Sequence, residues 1–229
     1  MLHRAFFLKR YKRFFADVQT ESGELLTLHY ANTGSMQNCL VEGSPCWYSL
    51  SDNPKRKLVG TLEIVTTAFG NLAGVNTARP NALVKGAIEA DLIPELCGYS
   101  TIRSEVRYGD EKSRIDLLLE RDVESCYVEV KNVTLDCGNG CAQFPDAVTA
   151  RGAKHLRELS AMVSAGHRAV LLFCVQLSGV DRVSVASHID RVYAETLAEA
   201  MASGVEVLAW QADFDGADIR LQRPLPFKL

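Results

Sequence analysis

SRIDLLLERDVESCYVEVKNVTL, residues 113–135, decides how the second half of this chain folds. Two apolar runs flank a charged hexapeptide, ERDVES. In an extended strand, alternate side chains share a face. Tyr127, Glu129 and Lys131 then point one way, and Val128 and Val130 the other. Arg114 and Asp116 likewise share a face opposite Ile115 and Leu117. Pairing the two runs as a hairpin, with ERDVES as its turn, lets Asp116 and Glu129 project to the same side. Two carboxylates on one rigid face make a hard-oxygen site suited to Mg²⁺ or Mn²⁺. Lys131 would stand beside the metal, where its amine could deprotonate a water, or its ammonium orient one or offset charge on a phosphate. The competing reading is an exposed hairpin with Glu–Lys and Asp–Arg pairs on its wet face, each contributing about 0–1 kcal/mol. Periodicity alone does not separate the two.

The surroundings favour the first reading. NALVKGAIEADLIPEL, residues 81–96, carries Leu83, Ile88, Leu92 and Ile93 near helical spacing, with Asn81 placed to cap it. Strands are predicted at 100–107, 113–119 and 125–133. PDAVTARGAKHLRELSAMVSAG, residues 145–166, reads as a second helix. Asp146 is its candidate cap, Val148, Leu156, Leu159 and Val163 its apolar stripe, and Gly166 its stop. RAVLLFCVQL, residues 168–177, is a continuous apolar run of the kind a buried strand shows. A third helix over 188–204 and a strand over 205–213 complete an order α-β-β-β-α-β-α-β, which favours a central sheet with helices on both sides.

Residues 1–80 have another texture. ADVQT, LLTLHYA, CLVEG, CWYSLS, KLVGTLEIVTT and LAGVNT are short β-prone runs separated by turn residues. So many strands in so short a span predict a small OB-like antiparallel barrel. The expected division is therefore 1–80 for the barrel and 81–229 for the α/β part, with ArgProAsn at 79–81 as the boundary.

The chain has 229 residues, 47% hydrophobic and 23% charged, as an ordinary globular protein does. Its net charge of −3 is unevenly spread. Residues 1–80 are net +3 and residues 81–229 net −6, compatible with an anion-binding module joined to a carboxylate-bearing one. No run reaches the ~18 apolar residues of a membrane span, and MLHRAFFLKRYKRFF lacks the apolar core of a secretory signal. A cytoplasmic protein is expected, with its seven cysteines reduced. Cys137 and Cys141 form a lone C-x3-C, a poor basis for a zinc site.

Two basic clusters lie in the first half. Lys9, Arg10, Lys12 and Arg13 are interleaved with Tyr11, Phe14 and Phe15. Lys55, Arg56 and Lys57 follow AsnPro in a turn, where three adjacent cations repel one another unless an anion is near. Cations hold phosphates, and aromatic faces stack on unpaired bases. Asn32, Thr33 and Gly34, like Asn76 and Thr77, either line a groove or build turns. On the second helix, Arg151, Lys154 and His155 offer phosphate contacts or simply a solvated face, and Arg151 and His155 are four apart on one side.

The element order together with Asp116, Glu129 and Lys131 resembles the PD-(D/E)xK nuclease core. NPKRK, VNTARPN, SRIDLLL, CYVEVKNVTL, FPDAVTARGAKHL and RAVLLFCVQL, in that order, resemble the sugar fermentation stimulation protein A family over nearly the whole chain. The resemblance implies a DNA-binding protein with an OB-like domain and a nuclease-like domain, α+β overall, the second a mixed sheet flanked by helices. It implies that Asp116, Glu129 and Lys131 hold the nuclease positions, with Glu89 as the acidic helix residue; Glu95 and Glu105 are its rivals. The expected cofactor is Mg²⁺ or Mn²⁺, held by Asp116, Glu129 and the carbonyl of Val130. The expected partner is DNA, duplex first and single strands second, with no membrane; a homodimer is compatible. The function expected is phosphodiester hydrolysis, with a non-catalytic DNA-binding regulator as the alternative.

Overall fold

The computed structural model describes residues 1–215 and 218–229. The first strands are β1 (Leu2–Tyr11), β2 (Phe15–Thr20), β3 (Leu25–His29), β4 (Pro45–Leu50), β5 (Gly60–Thr66) and β6 (Leu72–Gly74). They run in the order β3-β2-β1-β4-β5-β6, and a parallel contact between His29 and Thr61 joins β3 to β5. That contact closes five strands into an OB barrel. Alternation fills it: Ala5 and Phe7, Ala16 and Val18, Leu28, Cys46 and Tyr48 all point inward. Nearly all of β5 is buried, because its outer face meets the second half of the chain.

The second half opens with α1 (Pro80–Glu89), followed by β7 (Thr101–Tyr108), β8 (Ser113–Arg121), β9 (Glu124–Val133), β10 (Leu135–Asp136) and β11 (Cys141–Phe144). Then come α2 (Ala150–Ser164), β12 (Arg168–Val175), β13 (Arg182–Val185), α3 (Arg191–Ala202), β14 (Glu206–Asp215), β15 (Asp218–Pro224) and β16 (Phe227–Lys228). The main sheet is mixed, in the order β15-β14-β12-β9-β8-β7, with β12 parallel to both β9 and β14. Helix α1 covers one face through Val84, Ala87 and Ile88. Helices α2 and α3 cover the other through Leu156, Leu159, Tyr193 and Leu197. Strand β12, central and helix-covered on both sides, is buried almost throughout. No described helix is long and apolar enough to cross a membrane.

Several expectations are corrected. CLVEG forms no strand, whereas the basic N-terminal segment is the ten-residue β1. A second sheet, β10-β11-β13-β16, and the edge strand β15 lie outside the predicted element order. Strands of two to four residues are too short to show a period. Asn81 does not cap α1, whose first turn is set by Pro80. Thr149, not Asp146, caps α2 by accepting from the Gly152 N–H. Asp146 reaches across to the barrel, where its Oδ2 accepts from the Ser35 hydroxyl and the Met36 N–H. Val148 lies before the helix and is exposed.

A buried carboxylate ties the two halves together, and another braces the barrel's end. Asp136 is fully buried and accepts from the Thr67 hydroxyl, the Asn71 amide and the Gly138 N–H. Glu63, in β5, accepts from Ser49 at 2.6 Å, Asn76 at 2.9 Å and Arg79 at 2.6 Å. Burial alone would raise the Glu63 carboxyl, but these bonds and the Arg79 charge outweigh it and hold it below the usual range. Its contribution is therefore fully present above the ordinary carboxylate value and is lost as pH falls through the depressed one. Glu63→Gln should cost about 1.5–3 kcal/mol at neutral pH. In urea unfolding across pH, that difference from the wild type should shrink on acidification.

The β7–β8 hairpin is anchored to α2 at its tip. Gly109 has φ +69°, and a Cβ there would fall 1.5 Å from Glu158 Oε2. Glu158 is buried and its other oxygen accepts from the Glu111 N–H at 2.8 Å. Gly109→Ala combines left-handed strain with a clash against a buried carboxylate. It should cost on the order of 3 kcal/mol in chemical denaturation.

Candidate metal and acid–base site

Strands β8 and β9 pair antiparallel from Arg121–Glu124 to Leu117–Val128. Continuing that register would set Asp116 opposite Glu129, but the ladder stops one pair short. Instead the Val130 N–H donates to Asp116 Oδ2 at 2.7 Å. A side chain has replaced a backbone acceptor, and the hairpin splays at this point.

On its other edge, β8 is also disturbed here. Ser104 pairs with Leu117 and Val106 with Ile115, which leaves Glu105 facing Asp116. Glu105 has φ +56°, an uncommon conformation for a non-glycine residue within a strand. The ribbon rolls over at this step. Ile102, Leu117 and Leu119 join the core under α1, whereas Val106, Tyr108 and Ile115 join the core under α2. Backbone strain of this kind costs about 1–3 kcal/mol and concentrates at functional sites.

Asp116 receives a second bond, from Asn81 Nδ2 of α1 to Oδ1 at 2.8 Å. Glu129 is 2% exposed. Its Oε1 accepts from Lys131 Nζ at 2.6 Å and pairs with His155 Nδ1. Arg151 Nε donates to His155 Nε2 at 3.3 Å. With Nε2 accepting, the ring proton sits at Nδ1 and is donated to Glu129. Glu129 Oε2 is buried and has no hydrogen-bond partner among the described residues.

The two carboxyls are pushed apart. Burial raises Asp116, and the Glu129 charge adds to it; the Val130 N–H, Asn81 and Lys131 only partly compensate. Burial also opposes ionisation of Glu129, but His155 and Lys131 outweigh it and hold Glu129 below its usual range. Opposed environments for neighbouring carboxyls are a mark of acid–base sites. The buried Tyr108 hydroxyl is raised too, by burial and then by the charges of Glu129, Glu158 and Asp116.

The donor chemistry fits a hard divalent cation. An unpartnered buried carboxylate oxygen calls for a water or an ion; Asp116 is near enough for the Glu129 charge to act on it, and the Val130 carbonyl would be the third oxygen. Among the described residues no group of three or more His, Cys, Asp or Glu is placed to hold a metal ion. The fit therefore rests on two carboxylates and a backbone carbonyl.

Asp116, Glu129, Lys131, His155 and Arg151 are thus brought together. Lys154 turns away and donates to the Glu111 carbonyl. Glu89 stands apart: it is exposed, ion-paired with Lys85, and ~12 Å along the helix axis from Asn81 at the usual rise. The α1 residue that reaches Asp116 is Asn81. Its one signal in the sequence is its place directly after Pro80, which reads equally as a helix start. Glu95 lies exposed in a short 3₁₀ turn.

The basic residues of the barrel divide by use. Arg10 lies over the Tyr30 ring at 4.7 Å and donates to the carbonyls of Asn32 and Gly34, so it holds the 32–34 loop. Arg13 donates to the Thr33 carbonyl, and Lys9 lies 3.5 Å from Asp17. Lys12 and Arg13 form the exposed β1–β2 turn with φ +47° and +63°. They line a cleft of about 580 Å³ with Tyr11, Thr33, Leu40 and Ala147. Lys55, Arg56 and Lys57 are exposed between β4 and β5, with Arg56 donating to the Thr61 hydroxyl.

Comparison with known proteins agrees with this architecture. A family model described as the SfsA N-terminal OB domain matches residues 8–75. Another, described as the sugar fermentation stimulation protein RE domain, matches residues 78–218. The sugar fermentation stimulation protein homolog of Teredinibacter turnerae is 57% identical over 97% of this chain and 95% of its own. That of Pseudomonas entomophila is 53% identical over 100% of this chain and 97% of its own. The structure of Pyrococcus furiosus SfsA in complex with Ca²⁺ superposes with a TM-score of 0.89 at 27% identity, covering 100% of this chain and 96% of that one. With both halves matched in order and the relatives covered almost end to end, this chain belongs to the sugar fermentation stimulation protein (SfsA) family.

Proposed function

We propose that this protein binds DNA and hydrolyses its phosphodiester bonds at a divalent-cation site formed by Asp116, Glu129 and the Val130 carbonyl. The observation that carries this reading is Glu129 itself, buried, bonded by Lys131 and His155 on one oxygen, and unpartnered on the other. The P. furiosus relative was obtained with Ca²⁺, also a hard, oxygen-seeking cation. When bound, such a cation polarises a phosphoryl oxygen and lowers the pKa of a bound water. Lys131, anchored on Glu129, presents an ammonium to the scissile phosphate and offsets its developing charge. His155 and Arg151 hold the Glu129 oxygen in place from α2.

The test is incubation of the protein with plasmid and linear duplex DNA in Mg²⁺ or Mn²⁺. Metal-dependent cleavage that EDTA stops is expected. DNA left intact across metals, ends and single-stranded substrates contradicts the reading. One observation favours a second reading, a DNA-binding regulator without turnover. Both Asp116 oxygens already hold hydrogen bonds, from Asn81 and Val130, as in a site closed to metal. Binding without cleavage would select it.

The exposed turn at 55–57 is assigned to phosphate contact. Replacing Lys55 and Arg56 together by alanine should reduce the slope of log K against log salt by about 1–2. Fluorescence anisotropy at several salt concentrations measures it, and an unchanged slope removes this turn from the interface.

A further inference from the structure

The β7–β8 hairpin holds an arginine pair that the cluster around Asp116 does not use. Arg107 and Arg114 are directly opposite in the antiparallel register. Both are exposed, and among the described residues neither makes a salt bridge or a side-chain hydrogen bond. Like charges facing each other across strands are destabilising. The same ribbon shows the usual remedy elsewhere: Arg103 pairs with Glu120 and Arg121 with Glu124.

The roll at Glu105 explains the exception. In a regular strand, Glu105 would share a face with Arg107 and meet it as a partner. Its left-handed backbone breaks that alternation, and no ion pair between them forms. The roll also turns Val106, Tyr108 and Ile115 toward α2. The arginines alternate with these residues, so they face away from α2. Arg114 is two residues from Asp116, ~7 Å along the strand. The tip behind them is rigid, because Glu158 and Lys154 of α2 both bond to Glu111.

We propose that Arg107 and Arg114 form a phosphate clamp for the DNA backbone, one or two phosphates from the bond placed at Asp116. This rests on the DNA reading above and adds the route by which the backbone enters. The unpaired guanidiniums, on a ribbon anchored at its tip and with Arg114 two residues along β8 from Asp116, draw the polyanion to a site whose own ligands would repel it. Bidentate donors suit phosphate oxygens better than a lysine does.

The test compares wild type, Arg107→Ala/Arg114→Ala and Arg107→Lys/Arg114→Lys. Anisotropy of a labelled duplex is followed in Ca²⁺ across salt concentrations, with thermal unfolding in parallel. The alanine pair should lose about tenfold in affinity and lower the salt slope by ~2, one for each phosphate released. Its Tm should stay level or rise, since a repulsion is removed. The lysine pair should keep most of the slope. Unchanged affinity and slope in the alanine pair overturn the clamp, as does an affinity loss matched by a falling Tm. If wild type cleaves DNA and the alanine pair binds normally, only the clamp fails. If wild type binds with the predicted arginine dependence and never cleaves, the clamp stands and the nuclease reading fails. Absence of DNA binding by wild type overturns both.

Discussion

Asp116→Asn is expected to abolish metal-dependent cleavage, by on the order of 10³-fold or more, while leaving the fold as stable as before or more so. The amide keeps the shape: its oxygen can still accept from the Val130 N–H, and its NH2 can donate to Asn81 once that amide flips to present its oxygen, so the splayed hairpin has no cause to move. What it removes is a charge that the fold opposes. The Asp116 carboxyl is raised above its unfolded value, so the folded state binds the proton more tightly than the unfolded one. Stability then falls as pH rises from the unfolded value through the raised one, and at neutral pH the ionised group is a net cost. The neutral amide carries no such cost. Kinetics and urea unfolding on the same preparation measure both effects. A variant that loses activity only because it loses structure would contradict this account.

Glu129→Ala should behave in the opposite way, destabilising by about 3–5 kcal/mol, the usual cost of stranding one half of a buried ion pair. Lys131 and His155 would lose their shared acceptor in a region where Lys131 has only 14% of its side chain exposed. Because Glu129 is held below its ordinary value, its stabilisation is present above the carboxylate range and is lost as pH falls through the depressed value. The gap between wild type and Glu129→Ala should therefore narrow in acid. A double-mutant cycle with Lys131→Met isolates the pair. The double variant should cost less than the sum of the singles, and simple additivity would show that the pair is not coupled.

The parts of this structure that were legible in the sequence are those with a period. Alternation in 113–135 placed Asp116 and Glu129 on neighbouring strands, and the continuous apolar run at 168–177, though without a period, read as a buried strand. What alternation could not show is the roll at Glu105 and Asp116. It comes from a left-handed backbone at a residue type that rarely adopts one, and it decides which core each side of the ribbon packs against. Asn81 was hidden for a related reason. Asn at a helix start is ordinarily explained by capping, and only the tertiary approach of α1 to β8 turns it onto Asp116. Glu89 had the right charge on the right helix but stands too far along it. Asp146 illustrates the same limit: a capping residue by position, it serves the barrel because Thr149 is closer to the helix start. The four-stranded second sheet left no trace because its strands are two to four residues long.

The cation site is tested by a crystal structure of the protein soaked in Mn²⁺, with anomalous data collected at the manganese edge. One anomalous peak is expected at ~2.2 Å from carboxylate oxygens of both Asp116 and Glu129, using the otherwise unpartnered Glu129 Oε2. Asp116→Asn crystals should lose it. No peak between these carboxylates at saturating Mn²⁺, or a peak bound elsewhere while cleavage persists, would contradict that assignment.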